Sequence, residues 1–248
     1  MLRAALLAFL LLAGARAARA AEDYCAFGHG TAVLLVDRTT AFDQTDKTLF
    51  LQALDGVIAG LGPGDRLALF TMTGAYTDSR KLFERCKPGC PDEGFFTGLL
   101  STCRPVVARS DMLAFTRELA QTLAGLLTAP EETRFSDLFR TVAEAVRPYA
   151  SGAQKLRSVI LFSDLIENSA ILPERELKRL PPGEVLQRLK ASGVTANFAG
   201  ASIRVFGFGR DDAPGRPPLP QAQRLRIAEA WRAWFAAAGA GMVEIGFR

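Results

Sequence analysis

Ala32-Val33-Leu34-Leu35-Val36-Asp37-Arg38-Thr39-Thr40 decides how this chain is read. Five apolar residues run straight into an aspartate and two hydroxyls. An unbroken apolar run of this length fits a strand buried on both faces, as in a parallel sheet. The polar residues then fall at its C-terminal end, where open α/β sheets place ligand sites. Ser158-Val159-Ile160-Leu161-Phe162-Ser163-Asp164 repeats the pattern. Two strand ends thus each carry a carboxylate, the beginning of a cation site.

Outward from these strands, strand and helix patterns alternate. Helical spacing is expected over Thr45–Leu61, with Leu49, Leu51, Leu54, Val57, Ile58 and Leu61 inward, ended by Gly62-Pro63-Gly64. Strands are expected over Arg66–Thr73, Ala201–Phe208 and Met242–Phe247, with Arg80–Arg85 at an edge. Further helices are expected over Asp111–Leu127, Ser136–Tyr149, Pro181–Ser192 and Gln221–Ala238, the last packing Leu225, Ile227, Trp231, Trp234 and Phe235 on the sheet. Gly209–Pro220 reads as a loop. Such alternation predicts βαβ units in an α/β fold. The expected fold class is a doubly wound, mostly parallel six-stranded sheet, Rossmann-like, with helices on both faces.

The first twenty residues read as a targeting segment. Arg3 precedes an apolar stretch, Ala4 to Ala13, and Ala18-Arg19-Ala20 suits signal cleavage. The apolar stretch is short of the roughly 20 residues a membrane span needs. The expectation is a cleaved signal peptide, 1–20, followed by one α/β domain, 21–248, with a Cys-rich insertion around 80–110. Basic residues number 30 against 26 acidic ones. The leader holds Arg3, Arg16 and Arg19, so without it the balance is 27 to 26, a net charge of +1. That balance, with arginines scattered among acids, gives a nucleic-acid reading no support.

Cys25, Cys86, Cys90 and Cys103 all lie beyond the leader. An even count in an exported chain argues for disulfides, and three pairings stay open. Cys86-Lys-Pro-Gly-Cys90 looks superficially like a metal knuckle. Zinc would want four ligands, and the one histidine, His29, lies far off in a loop between glycines. No Gly-x-Gly-x-x-Gly follows a strand, and no Gly-x-Ser-x-Gly elbow occurs. Dinucleotide binding and serine hydrolysis therefore have no signature here.

Asp37-Arg38-Thr39-Thr40-Ala41, Ser136-Asp137-Leu138 and Ser163-Asp164-Leu165 can converge at the C-terminal edge of the sheet. Carboxylates and hydroxyls are hard oxygen donors suited to Mg²⁺ or Mn²⁺. In element order and in these residues the chain resembles the von Willebrand factor A-type domain over nearly all of its mature length. The resemblance implies a metal-ion-dependent adhesion site with Asp37 as first aspartate, Thr39 as first hydroxyl, Ser136 at the middle-helix position and Asp164 as last aspartate. The second hydroxyl position falls on Ala41, which cannot ligate; Thr40 or Asp43 are the available substitutes. The glycine usual after the last aspartate is Leu165.

The function so implied is an exported protein-binding module. A partner protein's carboxylate would complete the coordination of Mg²⁺ or Mn²⁺, in the periplasm or outside a Gram-negative cell. A metal-dependent phosphohydrolase of the haloacid-dehalogenase-like kind is the enzymatic alternative, with Asp37 as nucleophile. That chemistry wants a second acid two residues on, where this chain has Thr39. A third reading is a metal-free assembly role in the cell envelope, which differs from the first in being insensitive to chelator.

Overall fold

The computed structural model describes residues 23–40, 42–91, 103–127, 133–208 and 219–247. The leader, Ala41, residues 92–102 of the Cys-rich insertion and most of the 209–220 loop lie outside the described residues.

Six strands form one sheet: β1 (Gly30–Asp37), β2 (Arg66–Met72), β3 (Lys81–Cys86), β4 (Lys155–Phe162), β5 (Ser202–Phe208) and β6 (Met242–Phe247). Their order is β3-β2-β1-β4-β5-β6. Every pairing is parallel except β2 with β3. The α/β fold class is therefore the one the strand patterns predict. β1 lies between β2 and β4, and all eight of its residues are buried. That position explains its unbroken apolar run: alternate residues serve different cores.

Val33 and Leu35 join Val159 and Leu161 in the larger core, and Leu34 and Val36 join Ile160 and Phe162 in the smaller one. The smaller core lies under α1 (Gln44–Gly60) and α2 (Pro105–Leu126). The larger lies under α3 (Leu138–Val146), the short α4 (Glu174–Leu177), α5 (Pro182–Ala191) and α6 (Gln221–Ala237). An aromatic cluster fixes α6, with Trp231 stacked on Phe139 at 3.8 Å between ring centroids.

Helix faces differ from expectation at single positions. α1 buries Phe50, Leu54 and Val57, and Leu51 is exposed. Phe50 lies four residues before Leu54, on its face, and meets Phe162 edge-on at 5.1 Å. Leu225 of α6 is likewise exposed, whereas Ile227, Trp231, Trp234 and Phe235 are buried. α3 begins at Leu138 rather than Ser136, because Ser136 pairs in an antiparallel bridge with Asn168.

The cysteines form two disulfides, Cys25–Cys86 and Cys90–Cys103. The first ties the turn before β1 to the end of edge strand β3. Both pairs being bonded removes the zinc alternative. Among the described residues, no helix is long and apolar enough to cross a membrane.

Candidate functional site

The chain leaves β1 for β2 on one side of the sheet and later enters β4 on the other. The crevice outside the carboxyl ends of β1 and β4 is thus a topological switch point. Asp37 ends β1 there with 0% exposure. Its Oδ1 accepts the Thr39 N–H at 2.9 Å and the Thr39 hydroxyl at 2.7 Å. Its Oδ2 accepts the Ser163 hydroxyl at 2.6 Å. Thr39 Oγ1 lies 3.3 Å from Ser136 Oγ. Asp164 Oδ2 accepts the Thr40 hydroxyl at 2.7 Å, and its Oδ1 accepts the Ile166 N–H at 2.9 Å.

Asp37, Thr39 and Ser136 are therefore joined in one chain of short polar contacts, and Asp164 is tied to the same β1 loop through Thr40. Of the two substitutes for Ala41, Thr40 enters this cluster. Asp43 forms a capping box at the start of α1, accepting the Asp46 N–H at 2.7 Å. Ala41 itself is outside the described residues.

Three residues that the sequence reading did not single out hold the site together. Ser163 precedes Asp164 on the same strand end, so alternation turns it the other way, onto Asp37. Glu167 is a buried carboxylate whose Oε2 accepts the N–H groups of Leu138 at 2.6 Å and Phe139 at 3.1 Å. It caps α3 from another loop, pinning the segment that carries Ser136 to the one that carries Asp164. Burial pushes its pKa up to about 8, and the nearby Asp137 carboxylate adds to this against the opposing Ser169 hydroxyl and the two N–H donors. Asn168 exchanges both backbone hydrogen bonds with Ser136, at 3.1 and 2.9 Å. Asp137 itself is raised above its usual value by burial, with Arg140 opposing.

Leu165, at the usual glycine position, has φ of +62°. A leucine there carries a strain of about 1–2 kcal/mol. Its side chain is fully buried, its N–H donates to Ser163 Oγ at 2.9 Å, and its carbonyl accepts the Trp231 indole N–H at 2.9 Å. These contacts hold the backbone where glycine would go unaided.

Chemically, the edge offers two carboxylates and several hydroxyls, a hard oxygen set that fits Mg²⁺ or Mn²⁺. Among the described residues no three His, Cys, Asp or Glu side chains gather. A cation here would thus rely on hydroxyls beside the two aspartates.

No family model matches the chain, and no curated protein matches it. Among solved structures, it is similar to an aerotolerance-related membrane protein from Bacteroides fragilis NCTC 9343, crystallised with multiple mutations to serines. The identity is 12% and the TM-score 0.43, over 88% of this chain and 92% of that one. It is also similar to proximal thread matrix protein 1 from the mussel byssus. There the identity is 14% and the TM-score 0.38, over 88% of this chain and 42% of that one. The strand order of the sheet itself, not these likenesses, defines the fold.

Proposed function

We propose that this chain is an exported protein-binding module of the von Willebrand factor A type. In this reading Asp37, Thr39, Ser136 and Asp164 hold Mg²⁺ or Mn²⁺, and a carboxylate of a partner protein binds through it. The single observation that carries the reading is the polar chain at the switch point: Asp37 to Thr39 at 2.7 Å and Thr39 to Ser136 at 3.3 Å, from two separate segments. When bound, the cation supplies an open coordination position for an anionic oxygen. The protein's own part is to hold its oxygens in place. Asp37 and Asp164 bring the negative charge, and the Thr39 and Ser136 hydroxyls turn their lone pairs inward. Glu167 and Asn168 fix the distance between the loops.

Export of residues 21–248 as one such domain, after removal of 1–20, accounts for the leader. Two disulfides suit an oxidising compartment such as the periplasm or the exterior. The hydrolase alternative gains nothing from the geometry, because Thr39, where its second acid should stand, donates its hydroxyl to Asp37.

Calorimetric titration of chelator-treated protein with Mn²⁺ and Mg²⁺ tests the reading. One saturable site is expected, absent in Asp37→Ala. No heat with either ion in folded wild-type protein removes the metal from the proposal.

A further inference from the structure

Beside Ser136, on the same edge, lies a groove of about 530 Å³. Three loops wall it: Gly74 and Asp78 from the segment after β2, Phe135 and Asp137 from the segment before α3, and Ser169 from the segment after β4. The loops are packed closely. The Asp137 N–H donates to the Gly74 carbonyl at 3.2 Å, and a Cβ added to Gly74 would sit 2.5 Å from Thr133 Oγ1.

Two features give the groove a chemistry. Phe135 is 65% exposed although it directly precedes buried Ser136. An aromatic ring left in water at the rim of a concave surface is the kind of residue that anchors a contact. The charges are one-sided: Asp78 and Asp137 line the groove, and among the described residues no Lys or Arg does. Asp137 stands at the start of α3, half-buried, with Arg140 as its neighbouring cation. Arg140 makes a long ion pair with the Asp137 Oδ2, at 3.9 Å, and its guanidinium lies over the Tyr76 ring at 5.0 Å. Arg80 and Arg134 lie on the flanking segments without lining the groove.

We infer that this groove seats a Lys or Arg side chain of the protein partner, its aliphatic stem on Phe135 and its cation against Asp78 and Asp137. The long stem of a basic residue covers apolar surface while its head stays with the carboxylates, the match an acidic, aromatic-walled groove asks for. The inference rests on the proposed function only in taking this edge to face the partner. It does not need the cation.

The test is made in chelator, so that its failure and the failure of the metal reading are separate results. ¹⁵N-labelled protein is titrated with acetyl-tetralysine-amide, and with the norleucine analogue as the uncharged control. Amide shifts are expected to centre on Gly74, Phe135, Asp137 and Ser169 with the lysine peptide alone. The Asp78→Asn/Asp137→Asn double variant is expected to weaken binding about tenfold, and Phe135→Ala several-fold. Asp78 and Phe135 are exposed, so their single variants keep the test open should the double variant fold poorly. Shifts spread over other acidic faces, an equal response to norleucine, or unchanged affinity in Asp78→Asn and Phe135→Ala overturn the inference.

Discussion

Two buried aspartates stand at opposite ends of the same parallel sheet and are held by different kinds of donor. Asp65, before β2 at the N-terminal edge, is 2% exposed. It accepts the N–H groups of His29 at 2.9 Å, Gly30 at 3.0 Å and Gly62 at 2.9 Å, and pairs with Arg157 at 3.0 Å. Asp37, at the C-terminal edge, takes the Thr39 and Ser163 hydroxyls and the Thr39 N–H. A backbone N–H can only donate in the direction the fold sets. A hydroxyl rotates, and offers a lone pair as readily as a proton. Asp65 is therefore a fastener between the β1 and β2 approaches. Asp37 sits among groups that can change role when a cation arrives, as the proposed function requires. Burial of a carboxylate does not mark a binding site; the kind of donor around it discriminates better.

The largest effect in this comparison belongs to Asp65→Asn. Burial alone would raise the Asp65 pKa, but the Gly62, His29 and Gly30 N–H groups and Arg157 outweigh it and hold the carboxyl below its usual range. Exchanging the carboxylate for an amide weakens three charge-assisted backbone bonds and the Arg157 ion pair, and faces an N–H₂ toward donors. The expected cost is about 3 kcal/mol. For a domain of this size that lowers the melting temperature by about 6–12 °C. Because the folded-state pKa is depressed, this contribution is present above the unfolded-state pKa and fades as pH falls through the folded one. Melting curves of the two proteins should therefore converge in acid. A gap that persists there would mean the loss is one of packing rather than charge.

Glu167 complicates a simple division of the sheet into a fastened end and a functional end. It lies beside the candidate site yet is held as Asp65 is, by backbone N–H groups of α3. It differs in having its pKa raised, from 4.5 to about 8, chiefly by burial. Between those values the unfolded chain has lost the proton that the folded chain keeps. Stability is therefore full below about 4.5 and declines as pH rises toward 8. Glu167→Gln removes that slope. Urea unfolding at pH 5 and pH 8 should show wild type losing about 1–3 kcal/mol more than the variant across the interval. Parallel behaviour of the two proteins would place the charge on Glu167 throughout, and make it a helix-dipole contact instead.

β1 and β4 were legible because strands buried on both faces leave continuous apolar runs, and because an aspartate directly after such a run has few places to be. The aromatic stripe of α6 was legible because burial is periodic along a helix. What escaped the sequence was set by contacts between elements far apart in the chain. Phe50 takes the inward position expected of Leu51 because Phe162 lies beneath it. The disulfide pairing follows from the antiparallel β2–β3 ladder, which sets Cys86 opposite Arg66 at the base of the sheet, and no spacing encodes that. A leucine carries no sign of positive φ, and the Trp231 indole that steadies Leu165 stands 66 residues away. In the site, Asp37, Thr39 and Asp164 could be read as strand-end polar residues. Glu167 could not, since a lone glutamate in a loop says nothing of the helix it caps.

The smallest expected change is the one that separates the two ends most cleanly. Asp37→Asn keeps the volume of a fully buried side chain and exchanges one oxygen for an N–H₂. The Thr39 N–H and hydroxyl can still donate to the remaining oxygen. The Ser163 hydroxyl, which now donates at 2.6 Å, can rotate to accept from the new amide. In chelator the stability of Asp37→Asn should stay within about 1 kcal/mol of wild type, well short of the cost at Asp65. With Mn²⁺ at 100 times its dissociation constant, wild type should gain about 2.7 kcal/mol by linkage, and the variant none. Chemical denaturation with and without the ion measures both quantities on the same samples. A large loss in chelator would make Asp37 a fastener like Asp65, and the rotating hydroxyls around it would then be incidental to the fold rather than a reserve for a cation.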